Sequence, residues 1–237
     1  MIQQDRVAVI TGATGGLGSV LARALAREGV RLALLSTSNE KLQRLAAELD
    51  LPPDRVLTGA FDLTTADGAR QAANTVTEKY GKIDMLLHVV GGWTGGKRVT
   101  GIPAEEVSNM LNQHLWSTFH LAQAFLPHLE ANGWGRIVVV SSPLASNPPP
   151  ELSAYVVGKA AQEALVLSIA AEWARSGVTA NILQVRTIDA THERDREPSP
   201  KNASWTTPEE ITAAILYLCS DEAHVVNGAH IPLYGHT

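Results

Sequence analysis

The sequence predicts an α/β domain: a doubly wound sheet, mostly or wholly parallel, of about seven strands with helices on both faces. Three observations point there. Short apolar runs rich in β-branched residues alternate along the chain with longer amphipathic segments, and such alternation builds a parallel sheet covered by helices. The first run, Val7-Ala8-Val9-Ile10, passes directly into the glycine-rich stretch Thr11-Gly12-Ala13-Thr14-Gly15-Gly16-Leu17-Gly18 and then into a helix. The 237 residues are 45% hydrophobic without a low-complexity run, enough for one well-cored domain, 1–237.

Each element has a local reason. Ser19 to Glu28 is the helix after the glycines, Arg31 to Leu35 a second buried strand, and Asn39-Glu40-Lys41-Leu42 opens a helix running to about Leu49. Val56 to Phe61 forms a strand ending in Asp62-Leu63, followed by a helix from Thr65 to Tyr80. Ile83 to Val90 is the fourth strand and closes on Gly91-Gly92-Trp93-Thr94-Gly95-Gly96, glycines suited to backbone approaching a ligand or to a flexible loop. Trp93 there suits the wall of a cleft or simple packing. Ala104 to Asn132 is a long helix with an expected break near Pro127. Ile137-Val138-Val139-Val140 is a strand buried on both faces that presents Ser141-Ser142 to a cleft, and Ser153 starts the next helix after Pro148-Pro149-Pro150. Val178 to Val185 is a sixth strand. The polar stretch that follows, 186–207, is expected to be a lid over substrate and cofactor, because structureless loops of that length are uncommon inside compact domains. Pro208-Glu209-Glu210 opens the last helix and Ala229 to Leu233 is the last strand.

Composition narrows the function. Nineteen basic against 24 acidic residues, a formal charge of −5, leave no electrostatic footprint for nucleic acid or an anionic membrane. Cys219 is the only cysteine, which excludes an intrachain disulfide, suits a reducing compartment, and reads as a small buried hydrophobe. No apolar stretch reaches the roughly 18 residues of a membrane span, and the N-terminus lacks a secretory signal, so a cytoplasmic protein acting on a small molecule is expected. The eight histidines show no metal-ligand spacing, so no metal site is expected.

Tyr155 and Lys159 stand at i and i+4 of one helix, so they share a face with Cβ atoms roughly 5–6 Å apart. A phenol titrates near ~10, and a neighbouring ammonium favours the phenolate, which suits Tyr155 to general acid or base work. The Ser142 hydroxyl is placed to polarise the reacting oxygen. Glycines between a strand and a helix let the backbone approach a pyrophosphate at the helix N-terminus. About 20 residues past such glycines an acid is expected on the ribose 2′-hydroxyl. Here Ser36-Thr37-Ser38 occupy that place, and the missing carboxylate favours NADP over NAD, unless these hydroxyls merely cap the helix at Asn39. Asp62 suits an adenine amino group or a helix cap.

Taken together, Thr11-Gly12-x-x-x-Gly16-x-Gly18, Asp62-Leu63, Ser142 placed 13 residues before Tyr155-x-x-x-Lys159, Asn181 and Gly228 resemble the classical short-chain dehydrogenase/reductases over essentially the whole chain. The resemblance implies a Rossmann-like sheet, a nicotinamide cofactor (NADP or NAD), hydride transfer between it and a carbonyl or alcohol substrate, and a homodimer or homotetramer built on the long helix and the Tyr155 helix. It makes Tyr155 the general acid/base, Ser142 the carbonyl-orienting hydroxyl, and Lys159 the residue that depresses the tyrosine pKa and holds the nicotinamide ribose. The cofactor would lie on Gly12, Thr14, Gly16, Leu17, Gly18, Ser36, Thr37, Ser38, Asp62, Leu63, Gly91, Tyr155 and Lys159. Three departures stand out. The family's Asn-Asn-Ala-Gly is His88-Val89-Val90-Gly91, without the asparagine amides that tie strand to backbone. The family's catalytic asparagine, which supports a water-linked relay to the lysine, falls on His114, either a proton carrier or a buried structural histidine. The Pro-Gly after the sixth strand is Val185-Arg186, and Thr191 lies one position beyond the family's carboxamide threonine. These departures leave an alternative: a dinucleotide-binding protein with little or no turnover, a sensor or structural subunit.

Overall fold

A computed structural model describes residues 2–234. Seven strands, β1 (Val7–Thr11), β2 (Arg31–Ser36), β3 (Val56–Ala60), β4 (Met85–His88), β5 (Gly135–Ser141), β6 (Val178–Gln184) and β7 (His230–Pro232), form one sheet in the order β3-β2-β1-β4-β5-β6-β7. Every neighbouring pair is parallel. The chain winds outward in both directions from β1 and β4, and at such a reversal a crevice opens beyond the C-terminal strand ends.

Alternate side chains of each strand enter opposite layers. Val7, Val9, Ile137 and Val139 join one core with α3 (Ala66–Tyr80), α5 (Ser117–Ala131) and α6 (Ser153–Glu172). Ala8, Ile10, Val138 and Val140 join the other with α1 (Gly16–Arg27) and α2 (Asn39–Leu49), and with α8, residues Pro208–Leu218. Burial on both faces is why the strands read as continuous apolar runs.

Three elements differ from expectation. Helix α1 begins at Gly16 inside the glycine-rich stretch, not at Ser19. The long helix is not broken at Pro127, which lies within α5; instead α4 (Ala104–Leu111) widens into a π turn at Asn112–Trp116 before continuing as α5. Such widened turns recur at functional sites. The stretch 186–207 is folded rather than open. It contains α7 (Glu193–Arg196), the buried Asp189 carboxylate accepts from the Glu193 and Arg194 amides, and the Arg194 guanidinium grips Glu210 of α8 at 3.0 and 2.8 Å.

Gly158 sets how closely α6 lies against the long helix. A Cβ there would stand 2.8 Å from the Met110 carbonyl oxygen and 3.1 Å from the His114 ring. Helix α6 is long and apolar enough to cross a membrane, yet half of it is buried inside this fold, where it carries Lys159, Gln162 and Glu163.

Candidate active site

The crevice at the β1–β4 reversal gathers Gly12, Ser36, Thr37, Phe61, Asp62, Leu63 and His88 around about 180 Å³. Five of these are residues singled out above for a dinucleotide. The Ser36 hydroxyl bonds Thr14 Oγ1 at 2.7 Å, while Ser38 caps α2 by accepting the Lys41 amide. The serine–threonine stretch therefore divides its roles: one hydroxyl caps, and the other two line the crevice. Thr65, not Asp62, caps α3, and Asp62 Oδ1 accepts from the Thr64 amide and hydroxyl. Gly91 is exposed to open space. Leu17 and Gly18 are buried in the first turn of α1.

The N-terminus of α1 differs from those of α2, α3 and α8. Those three are capped by Ser38, Thr65 and Thr207, whereas the α1 N-cap is Gly15, which has no side chain, and no acid lies in its first turn. The first amides of a helix have no intrahelical partner, and together with the helix dipole they favour an anion. The residues present thus fit the pyrophosphate of a dinucleotide. Ala190 of the folded stretch sits over them, since a Cβ on Gly16 would come 2.9 Å from the Ala190 Cβ.

Beyond β4 and β5 the candidate chemistry converges. Ser142, at the end of β5, is buried and lies beside Tyr155, whose ring packs edge-on against His114 at 5.8 Å between centroids. Contrary to the depression expected from Lys159, burial pushes the Tyr155 phenol above its ordinary pKa of 10.0, and the Ser142 hydroxyl only partly offsets this. Lys159 is buried and donates to the Val140 carbonyl at 2.7 Å and to Gln162 Oε1 at 3.0 Å. Its pKa falls to about 7 because burial disfavours the ammonium, with Glu163 opposing.

In place of the absent asparagine amides, His88 supplies a side-chain tether of its own. Thr11 Oγ1 lies 2.6 Å from its Nδ1 and Ser117 Oγ lies 3.3 Å from its Nε2. Because Ser117 gives its own proton to the Gln113 carbonyl, Nε2 must be the protonated nitrogen and Thr11 donates to Nδ1. One imidazole thus ties β1, β4 and the π turn together. His114 donates from Nε2 to the Gly92 carbonyl at 3.2 Å, which leaves Nδ1 as a buried lone pair without a partner. Burial, assisted by the nearby Lys159 charge, lowers both rings to about 3, so both are neutral imidazoles at neutral pH.

Comparison with known proteins agrees with this geometry. The profile of the family described as short chain dehydrogenase matches residues 6–201. The chain belongs to that family. The short-chain dehydrogenase is 28% identical to D-beta-hydroxybutyrate dehydrogenase of Rhizobium meliloti over 97% of each chain. It is 30% identical to D-threitol dehydrogenase of Mycolicibacterium smegmatis, covering 97% of this chain and 92% of that one. Among solved structures, an apo short chain oxidoreductase from Pseudomonas aeruginosa, described as containing an atypical catalytic center, superposes with a TM-score of 0.87 at 26% identity over 97% and 96% of the two chains. The chain is therefore a short-chain oxidoreductase of the family that binds nicotinamide dinucleotides and acts on small molecules.

Several residues of this short-chain dehydrogenase were missed in the sequence. Gln162 was discoverable, since it falls three residues after Lys159 and seven after Tyr155 on the same helix face. Ser117 and Thr118 were not, because the π turn that orients them leaves no periodic signal. Arg186 lies over the Tyr234 ring, and Trp93 is 65% exposed rather than packed. Among the described residues no cluster of three His, Cys, Asp or Glu side chains has the arrangement of a metal site.

The two depressed histidines make stability pH-dependent. Their folded value of about 3 lies below the ordinary 6.5, so the unfolded chain binds protons that the folded chain refuses as pH falls from 6.5 toward 3. Stability is full above that window and is lost within it, with a limiting slope of roughly 1.4 kcal/mol per pH unit for each ring. Urea unfolding between pH 7 and 5 is expected to show this fall, and His88→Asn to lose about half of it. An unchanged slope in the variant would show that His88 titrates normally.

Proposed function

We propose that this short-chain oxidoreductase is an NAD(P)-dependent carbonyl reductase or alcohol dehydrogenase in which Tyr155 is the general acid/base. The observation that carries it is the convergence of Ser142, Tyr155 and buried Lys159 beside the crevice that holds Gly12, Ser36, Thr37 and Asp62. When bound, the nicotinamide supplies or accepts the hydride. The chain does the rest. The uncapped start of α1 holds the pyrophosphate, Asp62 and Leu63 flank the adenine, and 186–207 closes over it as a lid with Ala190 at Gly16. Ser142 orients the reacting oxygen and Tyr155, protonated at neutral pH, donates to it; in oxidation Tyr155 takes that proton back. Lys159 favours the phenolate while it carries charge and holds the ribose. His114 acts as a hydrogen-bond acceptor in this site, since its Nε2 hydrogen is committed to Gly92.

NADP is the preferred cofactor in this reading. No carboxylate stands among Ser36, Thr37 and Ser38, and a pocket of about 360 Å³ beside Thr14 is lined by Ser19, Arg23, Lys41, Arg44 and Glu48. Glu48 is committed to Arg23 at 2.5 Å, which leaves Lys41 and Arg44 for a 2′-phosphate. The test is a fluorescence titration with NADPH and NADH. NADPH is expected to bind at least tenfold tighter, and Lys41→Ala with Arg44→Ala to remove most of that difference without weakening NADH. Equal affinities in the unaltered protein overturn the preference, and no binding of either cofactor overturns the enzyme reading.

The raised Tyr155 pKa and the neutral His114 favour one second reading, a dinucleotide-binding protein with little turnover; the Pseudomonas aeruginosa relative is itself described as having an atypical center. We assign the outer faces of the long helix and α6, where Trp116 of the π turn and Val157 and Leu167 of α6 are exposed, to a second copy of the chain in a dimer or tetramer, and the cytoplasm as its compartment. Sedimentation as a monomer at micromolar concentration would overturn the assembly, and export of the protein from the cell the compartment.

A further inference from the structure

A buried ammonium carries three hydrogens that need acceptors, and Lys159 finds two of them on different elements. One hydrogen goes to the Val140 carbonyl at the end of β5 and a second to Gln162 Oε1, one turn along α6. Gln162 is fully buried, and its amide is oriented from the other side: Nε2 donates to Thr118 Oγ1 at 2.9 Å. Thr118 has one proton, which it gives to the His114 carbonyl at 2.6 Å. Every hydrogen in this string therefore has a fixed direction, from Lys159 through Gln162 and Thr118 to the π turn.

We propose that Gln162 and Thr118 are positioning residues for Lys159: they tie its ammonium to the His114 carbonyl of the π turn. The inference rests on the reading of Lys159 as part of the acid/base machinery. Two acceptors on different elements fix the lysine rotamer, and Thr118 decides which end of the Gln162 amide the lysine meets. The string ends on a backbone carbonyl, which has no proton of its own to pass on, so it holds Lys159 in place rather than relaying its proton. The third ammonium hydrogen is the one left for a ligand. A second string, Thr11 through His88 and Ser117 to the Gln113 carbonyl, enters the same π turn from β1, so the turn is held from both sides.

The test reads the lysine itself. The titratable groups around it are Tyr155 and Glu163 on its own helix, His88 on β4 and His114 on the π turn; Glu163 is in turn bonded to Gln184 of β6 and His230 of β7. All of these stay in place in the variants. The side-chain resonance of Lys159, assigned with Lys159→Met in carbon-13 lysine-labelled protein, is titrated by NMR. Gln162→Leu removes an acceptor from a buried cation and is expected to lower the midpoint by about one unit, tenfold in the dissociation constant. Thr118→Val is expected to shift it in the same direction by less, and to add nothing on top of Gln162→Leu. Thr118→Ser, which keeps the hydroxyl, should leave it unchanged. A midpoint that stays or rises in Gln162→Leu while the other lysine resonances are unaltered overturns the proposal; if that variant does not fold, an unmoved midpoint in Thr118→Val does so. The titration needs neither cofactor nor substrate, so a protein without turnover would count against the oxidoreductase reading and leave this result standing.

Discussion

Tyr155→Phe is expected to lower turnover by roughly 10²–10⁴-fold, the usual contribution of a positioned general acid/base, while NADPH affinity stays within about threefold. Phenylalanine keeps the ring that packs edge-on against His114 and removes only the hydroxyl beside Ser142. The direction of reaction matters to the pH profile. The phenol lies above its ordinary value, so it is protonated at neutral pH and ready to donate to a carbonyl oxygen. Alcohol oxidation needs the phenolate and should rise with pH, whereas Lys159 loses its charge as pH passes about 7. Reduction is therefore expected to be the faster direction at neutral pH. Steady-state rates of the variant with a ketone panel and NADPH decide the matter. Retention of a tenth or more of the activity, with cofactor still bound, would move the acid/base role to another residue.

How much of this was visible beforehand follows from the kind of signal each feature leaves. The strands were legible because both faces are buried, which turns Val7 to Ile10 and Ile137 to Val140 into unbroken apolar runs. Ser142, Tyr155 and Lys159 were legible because their spacing survives in the chain whatever the backbone does between them. The π turn was not, since one extra residue shifts the apolar pattern by a single position, and Pro127 offered a more obvious place for a break. His88 was misjudged for a related reason. Seen as a lost asparagine it removes an amide, but its imidazole bridges Thr11 and Ser117 with a donor and an acceptor of its own. Lys41 and Arg44 came into view only when α1 and α2 were placed side by side around Thr14.

The glycines of the first loop share one motif and are expected to answer substitution in opposite ways. An alanine Cβ at Gly18 would lie 2.2 Å from the Gly12 carbonyl oxygen and 2.8 Å from the Ala13 Cα, both backbone of the turn in which Gly12 holds a φ of +70°. Neither atom can move without lifting α1 away from β1. Overpacking at such a contact costs about 3 kcal/mol or more, and for a chain of this size that is a drop in Tm of roughly 6–12 °C. At Gly16 the added Cβ meets only the Ala190 side chain, 2.9 Å away on the stretch 186–207, and alanine suits the first turn of a helix. Gly16→Ala should leave Tm within about 4 °C, because helix propensity gains at most ~1 kcal/mol. It should instead shift NADPH affinity severalfold, since Ala190 must move from its place over the free amides of α1. Thermal unfolding and cofactor titration of the two variants thus separate the glycine that sets the architecture from the one that faces the ligand. A Gly16→Ala protein as unstable as Gly18→Ala would mean that 186–207 is part of the folding core, and its assignment as a lid would fall.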